Sequence, residues 1–248
     1  LRGAKSKYYP VEMSHVLRYI SSSNKRFAVA ALPCFSKSLR LLQANNQLPN
    51  KNIKFIIGLV CGHLKSSLFA DSIGRNFGIN TPDLLSVDFR VKSKRLHSNK
   101  YFMSATSRNG KTFKILNRKM IGGNWGLNFF RNPACNFCDD VFAETADVVV
   151  GDAWVEPYAS DPGGNSVVVV RNKSILDILT SGINRSELSL NRVPIELAVE
   201  TQSSGIKDRR DDLSFRLWLF KFIFRKKVPI KRVTPSLGMT SLRRKLII

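Results

Sequence analysis

Four cysteines are the residues of this sequence that could bind a metal centre, and two of them form a close pair. Cys135 and Cys138 are separated by two residues, whereas Cys34 and Cys61 each follow a short apolar segment. Thiolates are ligands of structural zinc and of iron–sulfur clusters, and each of these centres commonly takes four of them. The number and types of these residues therefore predict a four-thiolate metal site.

The spacing of the cysteines leaves three interpretations open: an iron–sulfur cluster, a zinc site and unligated structural cysteines. Zinc usually takes two close pairs, whereas this sequence has one, and clusters accept dispersed ligands. Disulfides are not expected, because the sequence shows no secretory signal and is not a small scaffold. A redox dithiol is not expected either, because the close pair does not open a helix after a thioredoxin-like strand.

The apolar segments that precede Cys34 and Cys61 have the pattern of buried parallel strands. Residues 27–32 and 53–60 are such segments, and each is followed by a cysteine and then by a helical pattern, the second over residues 64–77. Alternating strands and helices are typical of a parallel α/β sheet, whose functional groups lie at the carboxyl ends of strands. We therefore expect both cysteines at the same edge of one sheet.

The remainder of the chain adds two features to this fold. Three segments with strand character, two of them joined by a hairpin turn, indicate a small β-rich insertion within residues 85–116. Residues 213–248 contain ten Lys or Arg and no Asp or Glu, which indicates a basic helical C-terminal tail. The predicted fold class is α/β: a parallel or mixed sheet with flanking helices, the β-rich insertion and the basic tail.

The formal net charge of +22 predicts affinity for polyanions. No aromatic-basic RNA signature or recognition helix accompanies this charge, so no specific nucleic acid is expected as a partner. No apolar run reaches the about 18 residues of a membrane span, and a cytoplasmic protein is expected. One hypothesis from the residues alone is therefore a zinc-stabilised, basic, polyanion-binding protein without redox activity.

Several short segments in the first 180 residues are specific when they are taken together. They are Gly3-Ala-Lys-Ser-Lys-Tyr8, Ala31-Leu-Pro-Cys34, Ile57-Gly-Leu-Val-Cys61, Phe89-Arg90, Pro133-Ala-Cys-Asn-Phe-Cys138, Ala146-Asp147, Gly151-Asp-Ala-Trp154 and Gly164-Asn-Ser166. On these segments and their order, the chain resembles the coenzyme F420 hydrogenase/dehydrogenase beta-subunit family. That family also includes the 7-hydroxymethyl chlorophyll a reductases of plants.

The resemblance implies an oxidoreductase that passes electrons between a 4Fe–4S cluster, FAD and an organic or deazaflavin-type acceptor. By position, the residues that match the cluster ligands are Cys34, Cys61, Cys135 and Cys138. Residues near the matching segments are candidates to contact the flavin phosphates or ring, and these are Lys5, Lys7, Arg90, Asn124 and Ser166. No catalytic residue is predicted.

The resemblance also implies a division of the chain and a kind of partner. Residues 1–180 would form the iron–sulfur and flavin domain, with the N-terminal part of the family missing before Leu1. Residues 181–248 would form a basic helical C-terminal extension. The positive charge then suits a ferredoxin-like or other acidic redox partner, and the basic tail suits peripheral contact with a membrane surface.

Overall fold

The protein is described by a computed structural model that covers residues 8, 10–48, 52–237 and 240–246. The strands in these ranges are β1 (Phe27–Ala31), β2 (Ile53–Leu59), β3 (Leu84–Val91), β4 (Phe102–Ser107), β5 (Thr112–Leu116), β6 (Val148–Asp152) and β7 (Ser166–Val170). The α-helices are α1 (Ser14–Ser22), α2 (Pro33–Ala44), α3 (Leu68–Arg75), α4 (Lys173–Asn184), α5 (Ile195–Glu200), α6 (Ser203–Ile206), α7 (Leu213–Trp218) and α8 (Leu242–Lys245). Short 3-10 turns occupy Thr81–Asp83, Asn117–Lys119, Trp125–Leu127, Pro133–Phe137 and Tyr158–Ser160, and π-helical turns occupy Lys207–Asp211 and Leu219–Ile223.

The central sheet is mixed and has the strand order β1-β2-β6-β7. β1, β2 and β6 run parallel, and β7 pairs antiparallel with β6 through partners such as Val148 and Val170. Apolar side chains that alternate along the strands, including Val29, Ile56 and Val149, form the core beneath helices α1 and α2. The parallel strands are short and apolar because helices and loops cover the faces of the sheet.

The β-rich insertion is an antiparallel sheet of three strands, β3-β4-β5. A tight hairpin joins β4 to β5, and Gly110 adopts a φ of 84° there, which favours glycine. Helix α3 packs its apolar face on this sheet through Phe69 and Ile73, which contact Phe89 and Met103 in a second core cluster. The predicted α/β class with its small β-rich insertion is confirmed.

Two contacts fix the first sheet to the loops that follow it. An added Cβ at Gly58 would lie 2.5 Å from the Cβ of Ala143, so only glycine allows β2 to approach the turn before β6. The Asp147 carboxylate accepts 2.7 Å hydrogen bonds from Arg40 on α2 and from the backbone of Ile56 on β2. One side chain thus ties helix α2 and strand β2 to the start of β6.

The C-terminal segment packs on the body through one side of a nearly continuous helical stretch from α6 to Ile223. Leu213, Phe215 and Leu217 are buried, whereas Phe222 and Ile223 are about half exposed. Within the described ranges, none of the helices combines the length and apolar character that crossing a bilayer requires.

Candidate functional site

The four cysteines lie on three segments that meet beyond the carboxyl ends of β1 and β2. Cys34 is in the first turn of α2, Cys61 follows β2 by two residues, and Cys135 and Cys138 lie in the loop before β6. The backbone N–H of Leu64 donates to Cys135 Sγ over 3.3 Å, which brings the Cys61 loop against the close pair. Cys135 and Cys138 lie near enough for their charge to act on both Cys34 and Cys61.

Backbone contacts hold these loops together. An isolated antiparallel bridge joins Lys65 to Arg131, and the Cys61 N–H donates to the carbonyl of Val141 over 3.1 Å. Pro133 begins the 3-10 turn that carries the close pair, since its fixed φ suits a first helical position. The loop after β2 and the loop before β6 therefore form one unit.

Burial and the charge of neighbouring thiols both raise the pKa values of Cys34 and Cys61. Burial raises the pKa of Cys61 to about 12; the nearby Arg209 opposes this shift, and the other three thiols add to it. Burial also raises the pKa of Cys34, and Cys138 and Cys135 contribute to that rise. Because metal binding needs thiolates, a bound cationic centre would relieve this repulsion. The donor types are therefore those that metal centres use.

A site for one metal ion would need tighter grouping of the same donors. Among the described residues, no three or more His, Cys, Asp or Glu side chains form a group that could hold one metal ion.

Five cationic side chains lie behind the cysteine loops. This cationic cluster consists of Lys65, Arg131, Arg209, Arg216 and Arg244. Its ion pairs converge on Asp208, at 2.8 Å from Arg131, 3.2 Å from Arg216 and 3.1 Å from Arg244. Asp212 lies 2.6 Å from Arg244. Three of the five cations thus share two carboxylates, whereas Lys65 and Arg209 donate to the carbonyls of Phe129 and Gly62.

The cationic cluster also binds the backbone of the close pair. Arg131 donates to the carbonyl of Cys135 over 3.0 Å, and Arg216 donates to that of Asn136 over 3.1 Å. Burial would raise the pKa of Asp208, but Arg216 and Arg131 outweigh it and hold that pKa below its ordinary value. Asp208 therefore stays ionised and orders the two arginines that support the cysteine loop.

Sequence analysis did not identify the cationic cluster. Arg209 is 1% exposed and donates to the carbonyl of Gly62, next to a predicted ligand. One signal in the sequence was the spacing of Asp208 and Asp212, which places two acids on one side of a helix next to Arg209 and Arg210. Nothing in the sequence shows that their partners come from distant loops.

Two of the candidate flavin residues lie together where β3 approaches the last residue of β6 and the first residue of β7. Arg90 on β3 forms a bidentate pair with Asp152, with nitrogen–oxygen distances of 2.7 and 3.1 Å. Ser166 is the β-sheet partner of Asp152, so the structure brings Arg90 and Ser166 to the same place. The Arg90 guanidinium also lies 5.3 Å from the ring centroids of both Tyr101 and Trp154.

The other candidate flavin residues are placed as follows. The side chain of Asn124 accepts from the N–H of Gly126 over 2.9 Å and begins the 3-10 turn that carries Trp125. Lys5 and Lys7 lie outside the described residues. Arg90, Asn124 and Ser166 therefore remain predictions that rest on position.

Buried aromatic and polar side chains connect the cysteine loops to Arg90. The rings of His63 and Trp125 have centroids 4.6 Å apart, and Lys65 Nζ lies 4.5 Å from the Trp125 ring. Tyr101 interacts with both Trp125 and Arg90. Burial, reinforced by Lys65, lowers the pKa of His63 to about 2, so its imidazole is neutral at pH 7. Packed side chains therefore fill the space between the cysteine loops and Arg90.

Comparison with known proteins identifies the class of the chain. Residues 24–195 match the family model that describes the C terminus of the coenzyme F420 hydrogenase/dehydrogenase beta subunit. The chain belongs to this family, which gives it a redox role of the hydrogenase beta-subunit kind. The resemblance expected from the sequence is confirmed.

One solved structure gives a particular point of comparison. It is the xenon-derivatised F420-reducing [NiFe] hydrogenase complex from Methanosarcina barkeri, in which one chain shares the fold with a TM-score of 0.59 and 16% sequence identity. The match covers 91% of this chain and 72% of that chain. Among curated proteins no match is found.

Replacement of Asp208 by Asn tests whether this carboxylate holds the site together. The change leaves the buried guanidinium groups of Arg131 and Arg216 without their shared anion, and we expect the free energy of unfolding to fall by about 3–5 kcal/mol. Urea unfolding at pH 7 measures the loss. Because the folded-state pKa of Asp208 is depressed, its stabilisation is present above about pH 4, the ordinary carboxyl range, and is lost as the pH falls through the folded-state value.

The matched control is Glu187→Gln, which removes a carboxylate that pairs with Arg185 at 2.8 Å on the surface. We expect no measurable change in the unfolding midpoint, because an exposed ion pair contributes little. Equal stability of the Asp208 variant and the wild type at pH 7 would contradict the role of Asp208.

Proposed function

We propose that the chain is an iron–sulfur flavoprotein that transfers electrons between a 4Fe–4S cluster, FAD and an organic or deazaflavin-type acceptor. In this proposal Cys34, Cys61, Cys135 and Cys138 are the four cluster ligands. Their convergence at one edge of the sheet is the observation that carries the proposal. When bound, the cluster supplies one-electron transfer and the flavin exchanges electrons with the organic acceptor.

The charge around the thiols supports an anionic centre at this place. The cationic cluster has five positive side chains, and Asp208 and Asp212 are its carboxylates in the ion pairs described above. Buried charge is costly unless it is paired, and a centre held by four thiolates is an anion. Backbone N–H groups such as that of Leu64 donate to sulfur and would lower the energy of the same anion. Family membership favours iron–sulfur over zinc for this donor set.

The flavin is assigned to the region around Arg90. Arg90 Nε is buried without a hydrogen-bond partner, and a guanidinium beside aromatic rings can bind a phosphate or stack on a planar ring. Ser166 and Asn124 would contribute polar contacts to the flavin, and Lys5 and Lys7 are candidates for the same role from the sequence alone. The packed side chains of His63, Trp125 and Tyr101 would then exclude water between the flavin and the cluster.

The division of the chain follows from the same assignments. Residues 1–180 would carry the cofactor-binding motifs, and residues 181–248 would be the basic C-terminal extension. Four free thiols suit a reducing compartment such as the cytoplasm.

An acidic redox protein of the ferredoxin kind is the partner that the surface suits. Lys221, Lys226 and Lys227 are exposed and lie beside the exposed side chains of Phe222 and Phe224. A basic rim around apolar side chains attracts an acidic partner and gives it an apolar contact. Peripheral contact with an acidic membrane is the other outcome that such a surface allows.

Analysis of metal and flavin in the chain purified without oxygen tests the cofactor assignment. We expect about four irons and matching sulfide per chain, together with FAD. The Cys135→Ser variant should lose most of the iron, because a hydroxyl is a poor replacement for a thiolate. Asn136→Ala is the matched control in the same loop and should keep its iron.

Two results would contradict the assignment. A colourless protein with one zinc per chain would favour the zinc-stabilised polyanion-binding hypothesis. Unchanged iron in the Cys135 variant would remove that residue from the ligand set.

Replacement of Arg90 by Gln tests the flavin region separately. We expect the FAD content to fall at least about tenfold, because a charged, stacked donor is lost, while the iron content is kept. Arg108→Gln is the control, since Arg108 belongs to the hairpin of the same small sheet. Full retention of FAD in the Arg90 variant, with the fold intact by circular dichroism, would place the flavin elsewhere.

The partner surface is tested by changing Lys221, Lys226 and Lys227 to Gln together. At low salt we expect about tenfold weaker binding to an acidic ferredoxin, with a smaller dependence on ionic strength. The control changes three exposed lysines of the β-rich insertion to Gln, at Lys111, Lys114 and Lys119. If the first variant loses only its binding to vesicles of acidic lipid, the surface serves a membrane and the protein-partner proposal is wrong.

A further inference from the structure

Arg209 is a buried cation whose hydrogen-bonding capacity is mostly unused by the protein. Its side chain is 1% exposed, and one of its terminal nitrogens donates to the carbonyl of Gly62. Its Nε and Nη1 atoms are buried without a hydrogen-bond partner. Within the described part of the chain, no carboxylate lies within ion-pair distance of it. A buried guanidinium in this state needs a negative charge from another source.

The nearby carboxylates are already engaged by other arginines. Asp208 pairs with Arg131, Arg216 and Arg244, and Asp212 pairs with Arg244. Asp208 precedes Arg209 in the chain, yet its oxygens face the other members of the cationic cluster. The negative charge that Arg209 lacks therefore does not come from the acids of its own segment.

The groups whose charges act most strongly on Arg209 are the thiols. Burial would lower the pKa of Arg209, but Cys138, Cys61 and Cys135 outweigh it and raise that pKa, each with a larger effect than Asp208. The bond to Gly62 places the guanidinium at the loop that carries Cys61. Geometry and charge thus both direct Arg209 toward the four-cysteine site.

We propose that Arg209 is a positioning residue of this site, which holds the Cys61 loop through Gly62 and supplies a fixed positive charge that raises the reduction potential of the bound cluster. The inference rests on the proposed iron–sulfur function. A nearby positive charge stabilises the reduced cluster more than the oxidised one, because reduction adds negative charge. Arg209 lies beyond residues 24–195, so the charge comes from outside the segment that the family model matches.

Three variants separate the charge of Arg209 from its hydrogen bond. Arg209→Gln removes the charge and keeps an amide donor for the Gly62 carbonyl, whereas Arg209→Lys keeps the charge. The control is Arg210→Gln, because Arg210 is the next residue and its exposed side chain pairs with Glu144 at 2.6 Å. The readouts are iron per chain, the thermal midpoint and the midpoint potential of the full-length protein in an anaerobic spectroscopic titration.

We expect Arg209→Gln to lower the equilibrium constant for reduction of the cluster by about tenfold, which is about 59 mV toward negative potential for one electron. Arg209→Lys should stay near the wild-type potential, and Arg210→Gln should match the wild type because water screens its charge. If Arg209→Gln assembles no cluster while Arg209→Lys assembles one of wild-type potential, the requirement for charge is also supported.

The negative outcomes distinguish this inference from the function on which it rests. Wild-type protein without iron overturns both. A normal cluster in the wild type, with the same potential in Arg209→Gln, overturns the inference alone. Equal shifts of the midpoint potential in Arg209→Gln and Arg210→Gln overturn it as well, since an exposed charge would then affect the cluster as much as the buried one. Loss of iron in both Arg209 variants would show that guanidinium geometry, and not charge, is required.

Discussion

The burial of positive charge behind four thiols is the constraint on which the rest of this structure depends. The cationic cluster draws its members from the loop after β2, the loop before β6, the helical stretch after α6 and helix α8. Asp208 pairs with three of them, and two of these, Arg131 and Arg216, bind the backbone of the close cysteine pair. Because an unpaired charge is costly in a protein interior, the partners of these charged side chains hold each segment in one position. The position of the C-terminal segment thus depends on these ion pairs as much as on the burial of its apolar side chains.

The two sheets contribute different chemistry, and one narrow set of side chains joins them. The thiols lie beyond the carboxyl ends of the central sheet, whereas the β-rich insertion carries Arg90 and its aromatic neighbours. His63, Trp125 and Tyr101 fill the space between these regions. A neutral imidazole suits this position, since a further cation beside Lys65 would add repulsion. The insertion therefore packs against the cysteine loops through these side chains.

Much of the fold could be predicted because its signals are local. The apolar segments before Cys34 and Cys61 indicated parallel strands, and both strands are present with a cysteine after each. The predicted helix at residues 64–77 begins later, at Leu68, because Lys65 pairs with Arg131 and lies buried beside Trp125. That contact spans more than sixty residues of sequence, so no local pattern reveals it.

The candidate site was predictable only in part for the same physical reason. Cysteines are rare enough for four of them to be noticed, whereas Arg209 and Arg216 are two among 40 Lys and Arg residues. Arg209 and Arg216 differ from most of the other cations in their burial and in the direction of their side chains. These two properties depend on the packing of segments that are distant in the sequence. Asp208 likewise shows its importance only when its three partners are seen in space.

The position of the cationic cluster along the chain has a consequence for biosynthesis. Residues 34–138 leave the ribosome well before residues 208–216, so the thiols emerge while the segment behind them does not yet exist. During that interval the cysteine loops lack Arg209 and Arg216, which bind the carbonyls of Gly62 and Asn136 in the folded chain, and the thiols are less shielded from solvent. The same interval would also be the time at which the loops are most open to the iron that the proposed function assigns to them. Closure of the C-terminal segment would then trap whatever the thiols have bound.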